Sequence, residues 1–198
     1  MKKGLVFFVF ALIALNVSAQ ERDRGFYFDF GLGSDFGFGP KGINYNEALS
    51  NVKEIASNNG YTRIPFYIDI TAGWVLLQNL YVVGTMYGMG DFMFKNSESV
   101  EGLMIGFRTY GAGVRYYPLD RYLQIGADIG LSTTVFVASE SWNNVQTECG
   151  FGTKLLMAYD FNKNMTGHSF ALGSVFMVNF LKDDVISAVS IFAKYVFK

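Results

Sequence analysis

From Tyr110 to Leu131 the side chains alternate, one residue at a time, between two unlike sets. One set is Tyr110, Ala112, Val114 and Tyr116, then Leu123, Ile125, Ala127, Ile129 and Leu131. The other is Thr109, Gly111, Gly113 and Arg115, then Gln124, Gly126, Asp128, Gly130 and Ser132. A period of two is the spacing of a pleated strand, whose successive residues face opposite ways. Between the two runs stands Pro118-Leu119-Asp120-Arg121. Proline presets its own φ and cannot donate to a ladder, so the segment turns tightly there. The stretch is a β-hairpin with one apolar face and one face of glycine and a few charges. At the turn the apolar face ends in Tyr116 and Tyr122, with Tyr117 beside them, the pattern of a hairpin that stands in a membrane.

The same two faces recur along the chain. A first strand, about Gly25 to Gly33, sets Phe26, Phe28, Phe30 and Leu32 against Tyr27, Asp29, Gly31 and Gly33. A polar stretch follows in which Ala48, Leu49, Val52, Ile55 and Ala56 fall at helical spacing, predicting a short helix between Asn46 and Asn58. The second strand, about Ile64 to Leu76, sets Phe66, Ile68, Ile70, Ala72 and Trp74 against Tyr67, Asp69, Thr71 and Gly73. In the third, about Leu80 to Gly90, the glycine rule turns Val82, Gly84, Met86, Gly88 and Gly90 inward and Tyr81, Val83, Thr85, Tyr87 and Met89 outward. The fifth frays near Thr134. The sixth, about Cys149 to Phe161, places Gly150, Gly152, Lys154, Leu156, Ala158 and Asp160 inward. The seventh and eighth, ending at Leu181 and near Phe197, send Phe170, Leu172, Phe176 and Phe180, then Val189, Ile191, Ala193, Tyr195 and Phe197, outward.

The N-terminus reads Met1-Lys2-Lys3, an apolar run from Leu5 to about Leu15, and Val17-Ser18-Ala19-Gln20. This is a secretory signal peptide, cleaved after Ala19, because the apolar run is too short to span a bilayer as a helix. Residues 1–19 are thus the signal and 20–198 one domain. Cys149 is the sole cysteine, so no intrachain disulfide forms. The formal net charge of −1, without clustered Lys and Arg, argues against a nucleic-acid partner.

Alternation alone does not say which face is inside, and a soluble barrel with a greasy interior has the same period. The aromatic residues decide. Phe26, Trp74, Tyr81, Tyr116, Tyr122, Tyr159, Phe170, Tyr195 and Phe197 all fall near one set of strand ends, forming the girdle that amphipathic rings favour at a membrane interface. Strands of this length also match the roughly 9–11 residues a tilted strand needs to cross a bilayer. Connections after strands two, four and six are short and those after one, three and five longer, as turns and outer loops are in such barrels. The expected fold is all-β: an eight-stranded antiparallel up-and-down transmembrane barrel with a short helix in the first outer loop. Its lumen then holds Asp29, Asp69 and Asp128 against Arg115, Lys154 and Lys194, with Asp160 nearer the rim. Opposite charges in a narrow interior pair, since an unpaired buried charge is costly, and the six are expected to form a network that closes the barrel to ions.

The segments Tyr110-Gly-Ala-Gly-Val-Arg-Tyr-Tyr-Pro118 and Ala193-Lys-Tyr-Val-Phe197 resemble the small eight-stranded outer-membrane barrels: the transmembrane domain of outer-membrane protein A and its opacity-type and outer-membrane protein W relatives. The resemblance implies an outer-membrane location in a diderm bacterium, contact with outer-membrane lipid, and delivery by periplasmic chaperones to the barrel assembly machinery. It also implies that Tyr195 and Phe197 form the C-terminal assembly signal, from which Lys198 departs by one residue. Three roles follow in order: a non-enzymatic structural or surface-interaction barrel meeting an extracellular ligand or host surface; a narrow conduit for small hydrophobic molecules, entered past Phe92, Phe94, Phe136 and Trp142; and a lipid-modifying enzyme. The adjacent His168 and Ser169 argue against the last, because neighbouring strand residues face opposite ways. No catalytic, metal or cofactor residues are assigned; a lone histidine does not anchor a metal cluster. Asp183 and Asp184 read as solvated turn residues.

Overall fold

The structure, a computed structural model, describes residues 25–35, 40–58, 60–77, 79–95, 101–118, 122–138, 145–162 and 167–198. Ala19 and the signal segment, and Trp142, lie outside the described residues. The elements in chain order are β1 (Phe26–Ser34), α1 (Ile43–Asn58), β2 (Thr62–Leu77), β3 (Leu80–Lys95), β4 (Glu101–Tyr116), β5 (Leu123–Ala138), β6 (Val145–Asp160), β7 (His168–Leu181) and β8 (Val185–Phe197). Among the described residues, each strand pairs antiparallel with the next and β8 pairs back onto β1, closing the barrel. Closure satisfies every edge, the condition for a sheet to cross a membrane. The expected architecture, helix in the first outer loop included, is the one observed.

Three strands are longer than their patterns predict. β3 continues past Gly90 to Lys95, β5 continues past Thr134 to Ala138, and β6 begins at Val145, ahead of Cys149, where Val145 and Gln146 oppose Phe136 and Val135. The reason is pairing: Met93, Phe94 and Lys95 oppose Leu103, Gly102 and Glu101, while Phe136, Val137 and Ala138 oppose Ile105, Met104 and Leu103. Once one strand projects, its backbone donors and acceptors recruit the neighbour regardless of side-chain pattern. The wall around β2 to β6 is built of 16-residue strands, more than the roughly 9–11 that crossing demands.

Seven strands present the faces that alternation assigns. β3 is the exception and is inverted: Tyr81, Val83, Thr85, Tyr87 and Met89 are buried in the lumen, while Val82 is exposed and Met86 half-buried outside. Glycine misleads here. Gly84 faces outward in a row with Ala72 and Ala112, whereas the interior, lined by small residues on other strands, needs bulk to fill it. Tyr81 supplies that bulk, packing 4.9 Å from the Tyr27 ring and 5.7 Å from the Tyr117 ring. Tyr81 therefore leaves the outer girdle. The girdle keeps Trp74 with Phe26 at 6.1 Å, Tyr122 stacked on Tyr159 at 5.5 Å, and Phe170 against Tyr195 at 6.0 Å.

Glycine is needed where strands approach closely. Gly111 and Gly130 face each other across β4 and β5, and a Cβ on Gly111 would lie 2.0 Å from the Ile129 carbonyl oxygen, one on Gly130 2.3 Å from that of Tyr110. Both obstacles are backbone and cannot swing aside. Gly130→Val is expected to lower unfolding stability by about 1–3 kcal/mol, read by urea unfolding of the refolded barrel; an unchanged midpoint would show that the two strands have room to part.

Candidate functional site

The lumen is where the charged side chains converge. Alternation on six different strands turns Asp29 (β1), Asp69 (β2), Arg115 (β4), Asp128 (β5), Lys154 (β6) and Lys194 (β8) inward, and all six are buried. They form one chain of contacts. Lys194 Nζ lies 2.9 Å from Asp29 Oδ2, and Arg115 Nε approaches the same oxygen at 3.9 Å. The Arg115 guanidinium forks onto both oxygens of Asp128, its Nη2 at 3.0 Å from Oδ2. Lys154 Nζ then bridges Asp128 Oδ2 and Asp69 Oδ2, each at 2.7 Å. Three acids and three bases leave no formal charge. Neutral hydroxyls complete the shell: Tyr67 O–H donates to Asp69 at 3.0 Å, and the Thr71 hydroxyl accepts from Arg115 Nη2 at 3.1 Å. The Lys154 ammonium also lies 4.4 Å from the centre of the Tyr87 ring, a cation–π contact that β3 provides because its face is inverted.

The strands joined are often far apart in the sheet. Lys154 and Asp69 sit on β6 and β2, opposite walls of the barrel. The network is thus a set of cross-braces through the interior, and a fork such as Arg115 on Asp128 fixes direction as well as distance.

Below it lies a second cluster at the turn end. Lys198 Nζ contacts Asp160 Oδ2 at 2.8 Å and stands 4.6 Å over the Tyr117 ring, while Tyr117 O–H donates to Asp160 at 3.1 Å and Ser169 O–H donates to the same carboxylate. Gln124 Nε2 donates to the hydroxyls of Tyr27 at 2.7 Å and Tyr117 at 2.6 Å. Alternation places Asp160 here but says nothing of Lys198, and composition groups Tyr117 with the outer aromatics. The missed signal is parity: Tyr117 follows the outward Tyr116, and Lys198 shares parity with Lys194.

At the other end a third group, absent from the sequence-level candidates, joins Arg63 to Asp91 and, at 3.4 Å, to Asp35. Its signal is again parity, Arg63 with Asp69 on β2 and Asp91 with Tyr87 on the inverted β3.

Of the residues expected at an apolar mouth, Phe92, Phe94 and Phe136 are not brought together, and Trp142 is outside the described residues. Phe92 and Phe94 stack at 6.2 Å on the outer face of β3, either side of the buried Met93, whereas Phe136 packs inward against the core, opposite Ile105. The cause is the same inversion. The inner apolar layer at this end consists instead of Met89, Met93, Ile105 and Phe107. His168 and Ser169 lie on opposite sides of the wall: His168 meets the Tyr195 hydroxyl and the Phe197 ring, at 5.0 Å, outside, and Ser169 meets Asp160 inside. Tyr195 and Phe197 line the outer face at the barrel seam, where β8 meets β1. Among the described residues no group of three or more His, Cys, Asp or Glu is placed to hold a metal.

A closed barrel of eight antiparallel strands, apolar outside and charged inside, is the fold of the small outer-membrane β-barrels. The chain is similar in fold to Ail, the attachment invasion locus protein of Yersinia pestis, whose crystal structure is in complex with the heparin analogue sucrose octasulfate: the match has a TM-score of 0.51 and 10% identity, and covers 87% of this chain and 99% of that one. OprG, an outer membrane protein of Pseudomonas aeruginosa, matches at a TM-score of 0.39 and 11% identity over 87% of this chain and 96% of its own. No family model and no curated protein matches the sequence. At such identity the likeness is one of fold.

Proposed function

We propose that the protein is an integral outer-membrane barrel that acts without catalysis, as a structural or surface-interaction protein whose outer connections meet the environment. The observation that carries this reading is the lumen: six charged residues from six strands are paired into a neutral brace, with aromatic and apolar side chains packed above and below. A barrel filled in this way transmits no solute down its axis and leaves its rim and loops as the working surface. Long strands β2 to β6 raise that rim. The likeness to a barrel crystallised with a sulfated saccharide analogue makes an extracellular ligand a natural partner, and outer-membrane lipid covers the exposed apolar belt. The signal segment ending at Ala19 exports the chain, periplasmic chaperones carry it, and the assembly machinery reads Tyr195 and Phe197. The conduit reading is left with Phe136 and Trp142, since Phe92 and Phe94 stand on the outer face.

Two measurements test the proposal. Membrane-extracted protein run on SDS gels is expected to migrate differently before and after boiling, because a closed barrel resists SDS until heated. In planar bilayers the refolded protein is expected to be silent. Equal mobility, with the mature chain in the soluble periplasmic fraction, would make the protein a soluble barrel; steady conductance would make it a channel.

A further inference from the structure

Helix α1 is no part of the barrel wall, which closes through the β1–β8 ladder without it. Yet α1 is held across the mouth at two opposed points. The first is the β7–β8 turn. Lys41 N–H donates to the Ser187 carbonyl at 2.8 Å and Ser187 N–H donates to that of Lys41 at 2.9 Å, so the chain just ahead of α1 is stitched to β8. Two residues on, at Ile43, the helix begins, and the N–H of its third residue, Tyr45, is aimed at Asp184. Asp184 Oδ2 accepts from Tyr45 N–H at 2.9 Å, while Oδ1 accepts from Val185 N–H at 2.9 Å. The carboxylate thus does the work of an N-cap side chain from another part of the chain, adding a negative charge where the helix dipole favours one. Gly42, at the cap position, leaves it room: a Cβ there would stand 2.4 Å from Asp184 Oδ2.

The second point is β4. The Tyr45 hydroxyl reaches the Ile105 carbonyl at 3.4 Å, and β4 is opposite β8 in the closed sheet. Tyr45 therefore spans the mouth from wall to wall. Its burial, and the negative charge of Asp91 beside it, push the phenol well above its ordinary range, so it stays neutral and serves as a donor. Leu49, one turn along, is buried with it, whereas Asn46, Glu47, Ser50, Asn51 and Glu54 are exposed. Beneath lie Met93 and Ile105, apolar and covered.

We infer that α1 is a latched lid on the outer mouth of the barrel, with the Asp184 carboxylate as its latch and Tyr45 as the bar across the opening. The lid opens as a unit because the β1–β8 pairings of the wall do not depend on it, and the Lys41–Ser187 pair upstream of the helix serves as its hinge. Its release uncovers the apolar layer at Met93 while the ion-pair brace below stays shut. The inference concerns α1 alone and holds whichever role the outer surface plays.

The experiment compares amide hydrogen exchange and methionine oxidation by dilute peroxide in the refolded barrel, for the unaltered chain, Asp184→Ala, Gly42→Ala and the exposed control Glu47→Gln. Loss of the cap is expected to speed exchange at residues 43–51 about tenfold and to speed oxidation of Met93, with strand amides and the deep Met177 unchanged. Gly42→Ala, which displaces the carboxylate without removing its charge, is expected to do the same and serves in place of Asp184→Ala if that variant does not refold to a heat-shiftable form. Unaltered exchange in α1, or exchange that rises in α1 and the strands together, would overturn the inference: the helix would then be either not latched by Asp184 or an integral part of the barrel.

Discussion

Arg115→Ala is expected to lower the unfolding free energy of the refolded barrel by about 3–5 kcal/mol, the usual consequence of leaving a buried charge without its partner. Arg115 is the only residue that touches both Asp29 and Asp128 among the described ion pairs, and it links the β1–β8 half of the brace to the β5–β6 half. Its removal leaves Asp128 to Lys154 alone, which already serves Asp69. The excess carboxylate must be hydrated or protonated in a narrow interior, and either outcome is unfavourable. Removing the pair together, as Arg115→Met with Asp128→Leu, is expected to recover most of the loss, because the cost lies in the orphaned charge rather than in the missing attraction. Urea unfolding followed by gel mobility measures both. Equal stability of Arg115→Ala and the unaltered chain would mean that the brace contributes nothing to holding the barrel.

Leu155→Arg is expected to cost about 2–4 kcal/mol in phospholipid vesicles, and Leu172→Arg only about 0–1, because a charge facing lipid is penalised by depth. Both leucines are on the outer face, 59% and 51% exposed, and side-chain chemistry does not separate them. Their heights do. Leu172 is the register partner of the girdle residue Tyr159, while Leu155 lies four residues along β6 from Tyr159, toward the middle of the belt. Equal, small effects at the two positions would show that water rather than lipid covers this face, and the soluble barrel would take its place.

The brace illustrates how far residues can be read without coordinates. Asp29, Asp69, Arg115, Asp128, Lys154 and Lys194 are legible as lumen residues because strand parity ties each to the face opposite its apolar neighbours. Parity does not say who pairs with whom. That Lys154 bridges Asp69 and Asp128, and that Lys194 takes Asp29, depends on the height each residue reaches on its own strand, and height depends on register around the closed sheet. The same limit explains the mouth. Phe92, Phe94 and Phe136 are all apolar and near strand ends, but one misassigned strand moves two of them to the outside.

The alternation in Tyr110 to Leu131 and its repeats determined the strand period, the eight-stranded membrane-type barrel and the faces of seven strands, since a half-exposed strand must separate its apolar and polar side chains. Tertiary structure alone decided the face of β3, where filling a narrow interior with Tyr81 and Tyr87 outweighed the placement of glycine. It also decided the reach of β3, β5 and β6 beyond their patterns, the turn of Lys198 and Tyr117 into the lumen, and the capping of α1 by Asp184, which stands 139 residues from Tyr45 in the chain. Each of these depends on a partner that closure of the sheet brings near and that no local run of residues can name.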